Sequence, residues 1–74
     1  MPVEIELFGN ISPDMPRKQS LELERSMTVR QVIDMLGIKP EEVGMVVINA
    51  VQSELDDLVP LDCRLCFFPY LSGG

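Results

Sequence analysis

One stretch of this sequence has the periodicity of an amphipathic helix, and strand-like segments lie on both sides of it. Thr28 followed three residues later by Gln31 is a capping-box signature. Gly37 then supplies a residue that readily adopts the left-handed conformation found after helix ends. Between them, apolar residues recur at i, i+3, i+4 and i+7, as on one helix face: Val29, Val32, Ile33 and Leu36. The sequence therefore predicts one short helix whose apolar face must pack against other elements.

Four further segments are predicted as strands. Apolar residues alternate with glutamates over 3–7 and again over 21–24, which is the period of a half-buried strand. The nearly continuous apolar run over 45–51 indicates a strand in a central position. A last strand over 64–68 is expected to end at Pro69, because proline cannot donate a hydrogen bond to a sheet. The remaining segments are predicted as turns and loops: 10–18, 39–42 and 53–60.

The order β-β-α-β-β in 74 residues leaves room for one domain only. Folding at this length hides roughly 60% of the surface that the unfolded chain exposes, so the core is thin. A helix placed between two pairs of strands predicts an α+β fold, a mixed sheet of four to five strands with the helix packed on one face. We expect the domain to span 1–69 and a flexible tail to span 70–74.

Composition excludes several classes of function. The net charge of −6, with six scattered Lys and Arg residues, argues against nucleic-acid binding and favours an electropositive protein partner. No apolar run approaches the roughly 20 residues of a membrane span, and the first residues do not resemble a signal peptide, so no membrane association and a cytoplasmic location are expected. The chain has only two cysteines, Cys63 and Cys66, which are too few and too close in sequence to form the disulfide framework of a small secreted protein. Reduced thiols are therefore expected.

No catalytic or metal centre is predicted. The pair Cys63 and Cys66 has no histidine and no second cysteine pair to complete a zinc site, and residues three apart on a strand face opposite ways. The pair Asp56 and Asp57 lies in a polar turn with no nucleophile or base nearby. No Gly-rich loop joins a strand to a helix, so no bound cofactor is expected.

The sequence ends in Tyr70-Leu71-Ser72-Gly73-Gly74, and two terminal glycines meet no requirement of the fold. Together with the β-β-α-β-β order, the segment from Phe68 to Gly74 resembles the MoaD/ThiS sulfur carriers, which have the ubiquitin-like β-grasp fold. That family commonly ends in Pro-Pro-Val-Ser-Gly-Gly. Four residues match this ending: Pro69, Ser72, Gly73 and Gly74.

The family commonly has an Asn-Gly turn after the third strand, where Asn49-Ala50 stand here. Positive φ angles suit glycine best, so we expect a turn of different geometry at this position.

The resemblance implies a carrier rather than an enzyme. An E1-like adenylating enzyme would use ATP to form an acyl-adenylate on Gly74, and sulfur would then convert it to a thiocarboxylate. Gly73 would allow the tail to enter a narrow channel, since glycine lacks a Cβ. The sulfur would pass to an acceptor enzyme such as the large subunit of molybdopterin synthase. Alternatives are a carrier for thiamin thiazole synthesis, a ubiquitin-like modifier that uses the same Gly74, and a binding module with an idle tail.

Strand alternation predicts where partners bind. If Val3, Ile5 and Leu7 face the helix, Phe8 and Phe68 emerge on the opposite, open face of the sheet. In a β-grasp sheet, as the resemblance implies, the first and last strands are neighbours, so the two rings are expected to lie close together. The predicted partner-binding residues are Phe8, Phe68, Pro69, Tyr70, Leu71 and Ser72.

Overall fold

The computed structural model describes residues 2–70, and its single α-helix, α1, spans Val29–Leu36. The Thr28 hydroxyl accepts a hydrogen bond from the Gln31 N–H at 3.1 Å, and the Gln31 side-chain oxygen accepts one from the Thr28 N–H at 2.9 Å. Gly37 ends the helix with φ 82°, and its N–H bonds back to the Asp34 carbonyl at 3.1 Å. The predicted capping box and glycine C-cap are both confirmed.

Seven strands accompany the helix, and a 3-10 turn (Pro40–Glu42) precedes the fourth of them. In chain order they are β1 (Val3–Leu7), β2 (Lys18–Leu21), β3 (Met27–Thr28), β4 (Val43–Ile48), β5 (Val51–Ser53), β6 (Leu58–Val59) and β7 (Cys63–Pro69). Five of them form one sheet in the order β2-β1-β7-β4-β5, and β3 pairs with β6 in a second, two-stranded sheet.

The last strand occupies the centre of the main sheet. β7 runs parallel to β1, with Leu7 opposite Phe67, and antiparallel to β4, with Met45 opposite Phe68. Antiparallel hairpin partners, β2 and β5, form the two edges. A mixed five-stranded sheet with one helix on one face is a β-grasp-like α+β fold, as predicted.

The second strand begins earlier than its alternation predicts. β2 covers Lys18–Leu21, whereas 21–24 was the expected segment, and the pairing of Glu6 with Lys18 sets the register. The cause lies in the loop between β1 and β2, where the guanidinium group of Arg17 binds several backbone carbonyl groups. Arg17 donates hydrogen bonds to the carbonyl oxygens of Gly9, Ile11, Ser12 and Met15. This contracted loop lets the chain return to β1 sooner, and Leu23 lies buried beyond the strand end.

The predicted strand over 45–51 is in fact a tight hairpin. β4 ends at Ile48 and β5 begins at Val51, and the two residues between them have positive φ: 49° at Asn49 and 68° at Ala50. Asn49 donates its N–H to the Arg64 carbonyl, and its side-chain oxygen accepts from the Arg64 N–H, both at 2.9 Å. The expected difference in turn geometry is therefore wrong: both residues adopt the left-handed conformation that an Asn-Gly turn favours, and contacts with β7 hold Ala50 in it.

The predicted loop over 53–60 also contains a short strand that its sequence pattern does not indicate. Its residues Leu58–Val59 form β6, which pairs with Met27–Thr28 immediately before the helix.

The core lies between α1 and the sheet. Val29, Val32 and Ile33 are fully buried on the helix, and Leu65 and Phe67 are fully buried on β7. The predicted inward faces of β1 and of the helix are therefore confirmed, with Leu36 partly buried at the margin. Within residues 2–70, no helix is long and apolar enough to cross a membrane.

The helix register gives a stability prediction. Ile33→Ala should lower the free energy of unfolding by about 2 to 5 kcal/mol, because it removes a fully buried side chain and leaves a cavity. Met35→Ala is the matched control on the same helix, since Met35 is 50% exposed, and should change stability by less than about 1 kcal/mol. Denaturant unfolding measures both, and equal midpoints for the two variants would contradict the register.

Candidate functional site

The two faces of the central strand have different environments. Cys63, Leu65 and Phe67 point into the core, whereas Arg64 and Phe68 lie on the open face of the sheet, which the helix does not cover. Phe67 is fully buried and its neighbour Phe68 only partly so. Strand alternation thus assigns one phenylalanine to stability and presents the next one to solvent.

Phe8 and Phe68 stack on the open face. Their ring centroids are 4.4 Å apart and the ring planes differ by 6°. The stack follows from the parallel pairing, since the Phe8 N–H donates to the Phe67 carbonyl at 2.9 Å and so continues the ladder past β1. The predicted position and closeness of these two rings are confirmed.

The stack is part of a larger apolar surface. Met45 stands opposite Phe68 on β4, and Tyr70 follows β7 with 64% of its surface exposed. We call Phe8, Met45, Phe68 and Tyr70 the open-face patch. A shallow depression adjoins it, and its lining residues are Gly44, Met45, Gln52, Phe68, Pro69 and Tyr70.

The other end of the open face is polar. Arg64 forms an ion pair with Glu6, and the Ser20 hydroxyl donates to the Glu4 carboxylate at 2.8 Å. Arg64 is 63% exposed, so solvent screens the pair and its contribution to stability is small. The open face therefore joins an apolar half, where β7 ends, to a charged half, where β7 begins.

The backbone comes unusually close to other atoms where β7 ends. A Cβ at Gly9 would lie 2.5 Å from Pro69 Cγ, and a Cβ at Gly44 would lie 2.7 Å from the Tyr70 nitrogen and Cα. Both distances are shorter than real side chains tolerate. Neither glycine was among the predicted site residues. Gly44 lies in β4 (Val43–Ile48) but just before the predicted strand over 45–51, so only a predicted strand that started at Val43 would have placed it where glycine often marks a close backbone approach.

The predicted site residues are thus partly placed. Pro69 ends β7, and Tyr70 follows it beside the patch. The four remaining predictions lie outside the described residues: Leu71, Ser72, Gly73 and Gly74.

The two cysteines are free, and both are buried. Cys63 belongs to the core, whereas Cys66 stands opposite Val47 on the other side of the sheet, as the spacing predicts. Burial, and to a lesser degree the negative charge of Asp62, raise the pKa of the Cys63 thiol. The thiol therefore stays protonated and is a poor nucleophile. Across residues 2–70, no group of three or more potential ligands from His, Cys, Asp and Glu could hold a metal ion.

No protein-family model matches the chain, and no curated protein is significantly similar to it.

The raised pKa of Cys63 predicts how stability changes with pH. Above about pH 8.5 the unfolded thiol loses its proton while the folded one keeps it, so the unfolded state binds fewer protons. The free energy of unfolding should therefore fall as pH rises from there toward the folded pKa. In Cys63→Ala this part of the decline should be absent. Unfolding curves of both proteins between pH 7 and 10 test this, and parallel declines would contradict it.

Proposed function

We propose that this chain is a sulfur carrier of the MoaD/ThiS type, and that it donates sulfur in molybdopterin biosynthesis. One observation supports the proposal most. The central strand β7 leads through Phe68 to an exposed Tyr70, so the sequence Leu71-Ser72-Gly73-Gly74 continues from the edge of an apolar, aromatic surface. A carrier needs a rigid docking surface next to a reactive terminus.

The proposed chemistry has two steps. A carboxylate oxygen of Gly74 attacks the α-phosphorus of ATP in the active site of an E1-like adenylating enzyme, and pyrophosphate leaves. Hydrosulfide, as a sulfur nucleophile already at the sulfide oxidation level, then attacks the carboxyl carbon of the acyl-adenylate and AMP leaves, which yields the thiocarboxylate and a proton with no change of oxidation state. The partner supplies ATP binding and catalysis, so the carrier contributes the carboxyl group, its tail and the docking surface.

The open-face patch supports the docking role. Stacked aromatic rings form anchors of the kind that dominate protein interfaces. Phe68 lies on the central strand β7, and Phe8 directly follows β1 and is held to β7 by its backbone hydrogen bond to Phe67. The same surface would serve the adenylating enzyme and the sulfur acceptor in turn. Two free cysteines are compatible with a reducing compartment, and we propose the cytoplasm as the site of the reaction.

Intact mass spectrometry of the protein from its own cells tests the proposal most directly. A thiocarboxylate adds the mass difference between sulfur and oxygen, and the same spectrum establishes whether Gly74 is the terminal residue. A species whose mass equals that of this chain joined to a second protein would instead indicate a ubiquitin-like modifier. Affinity capture of the thiocarboxylate form distinguishes the two acceptor classes, a pterin-binding subunit of molybdopterin synthase or a thiazole synthase.

Deletion of Gly74 should abolish adenylation by the cognate enzyme and leave the unfolding midpoint unchanged, because Gly74 is five residues beyond the end of β7 in the sequence and glycine has no side chain to bury. Addition of one residue after Gly74 should have the same effect. ATP-pyrophosphate exchange measures adenylation, with the wild-type chain as the reference. Full activity of either variant would refute the role of Gly74.

Phe68→Ala should weaken binding to the adenylating enzyme about 30-fold, equivalent to about 2 kcal/mol, because it removes one ring of the anchor. The loss of stability should be smaller than that of Ile33→Ala, since Phe68 lies on the open face. Leu58→Ala is a matched control, because Leu58 is 63% exposed but belongs to the two-stranded sheet. Titration calorimetry with parallel unfolding curves tests this, and unchanged affinity of Phe68→Ala would remove the patch from the interface.

A further inference from the structure

Two glycines lie against the consecutive residues Pro69 and Tyr70 where β7 ends. Gly9 follows β1 and lies against the Pro69 ring, while Gly44 belongs to β4 and lies against the Tyr70 backbone. The two contacts come from opposite sides, because β1 and β4 flank β7 in the sheet. Pro69 and Tyr70 therefore pass between two positions that carry no side chain.

Gly44 is not needed there for its own backbone conformation. Its φ lies outside the left-handed region, unlike those of Gly9 and Gly37. It is the extra residue of a bulge, since Val43 pairs with Pro69 and Met45 with Phe68. What excludes a side chain is proximity, because a Cβ would lie 2.7 Å from two backbone atoms of Tyr70, and neither belongs to a flexible side chain that could move aside.

We propose that Gly9 and Gly44 form a clamp on Pro69 and Tyr70 that sets the direction in which the chain continues toward Gly74. The clamp makes these glycines positioning residues for activation of the Gly74 carboxyl group. This inference rests on the proposed function and deepens it, since it places part of the specificity for the adenylating enzyme in the domain rather than in the tail.

The short distance along the chain gives the clamp its effect. Four residues extend over at most about 14 Å, so the position of Tyr70 defines a small volume within which Gly74 can lie, and a displacement of Tyr70 displaces that volume by the same amount. Adenylation requires the carboxylate to reach the α-phosphorus in line, and a misplacement of about 1 Å can cost a catalysed reaction about 100-fold. A fixed position of Tyr70 thus reduces the range of positions in which the adenylating enzyme has to capture the Gly74 carboxylate.

The test uses Gly44→Ala, with Gly37→Ala as the matched control. Both replace a glycine with alanine, but a Cβ at Gly37 meets nothing within 4 Å, and its cost comes from a φ of 82°. Tyr70 is the only tyrosine and the chain has no tryptophan, so intrinsic fluorescence reports on Tyr70 alone. Gly44→Ala should change the anisotropy decay of Tyr70 and shift its amide resonance, whereas Gly37→Ala should lower the unfolding midpoint and leave both signals as in the wild type.

Kinetics test the positioning role. In Gly44→Ala, kcat for ATP-dependent adenylation should fall at least about tenfold while KM for the carrier changes much less, because Tyr70 moves at the edge of the open-face patch but the Phe8 and Phe68 stack that anchors it does not. Gly37→Ala, assayed below its unfolding midpoint, should keep both constants within about twofold. A general loss of stability would move the two variants together, so this contrast separates positioning from folding.

Each outcome decides one part of the proposal. If the Tyr70 signals of Gly44→Ala match the wild type, or if Gly37→Ala alters them equally, there is no clamp. If they change but kcat does not, the clamp has no role in activation. If the wild-type chain itself is not adenylated, the proposed function fails and the role in activation fails with it, while the Tyr70 signals still decide whether the clamp exists.

Pro69→Ala provides a second route if Gly44→Ala does not fold. It removes the ring atoms that contact Gly9 and should loosen the clamp from the other side, with faster anisotropy decay at Tyr70 and a lower kcat. Wild-type anisotropy in this variant would refute the clamp.

Discussion

The parallel pairing of β1 with β7 is the contact on which the rest of the structure depends. It joins Val3 to Cys63 across most of the chain, and such long-range closure costs entropy that local contacts cannot repay. Burial of Ile5, Leu65 and Phe67 beneath α1 offsets that cost. The same pairing centres the last strand in the sheet, so that Tyr70 directly follows the central strand.

Because side chains alternate along a strand, this one pairing places one side chain in the core, where it stabilises the fold, and the next on the surface, where it binds partners in our proposal. Phe67 is sealed in the core, and Phe68 stacks on Phe8 at the surface. A small domain with a thin core has few apolar residues to place on its surface. The strands that carry these surface residues must therefore also carry the core residues that stabilise the fold. The charged half of the open face, with Glu6 and Arg64, limits the apolar area to the end where the proposed tail begins.

A carrier that performs no chemistry itself can influence its reaction only through where it docks and where it delivers its terminus. The open-face patch serves the first purpose in our proposal, and the clamp of Gly9 and Gly44 serves the second. The two are physically linked, since Phe8 directly precedes Gly9 in the sequence and Met45 directly follows Gly44. Partner binding at the rings would therefore take place next to the backbone atoms that orient the tail.

Local sequence by itself determined the helix. Its capping box and glycine C-cap depend on hydrogen bonds between residues three or four apart, and its apolar periodicity shows which face is available for burial, so the pattern predicts them without knowledge of the fold. Alternation likewise placed Phe8 and Phe68 on one face, although their closeness also required the strand order that the resemblance implied. Only the tertiary structure decided the hairpin turn at Asn49 and the glycine at Gly44. The first depends on hydrogen bonds to Arg64, 15 residues away, and the second on the Tyr70 backbone across the sheet. Such contacts join residues distant in sequence, and no local period or propensity encodes them.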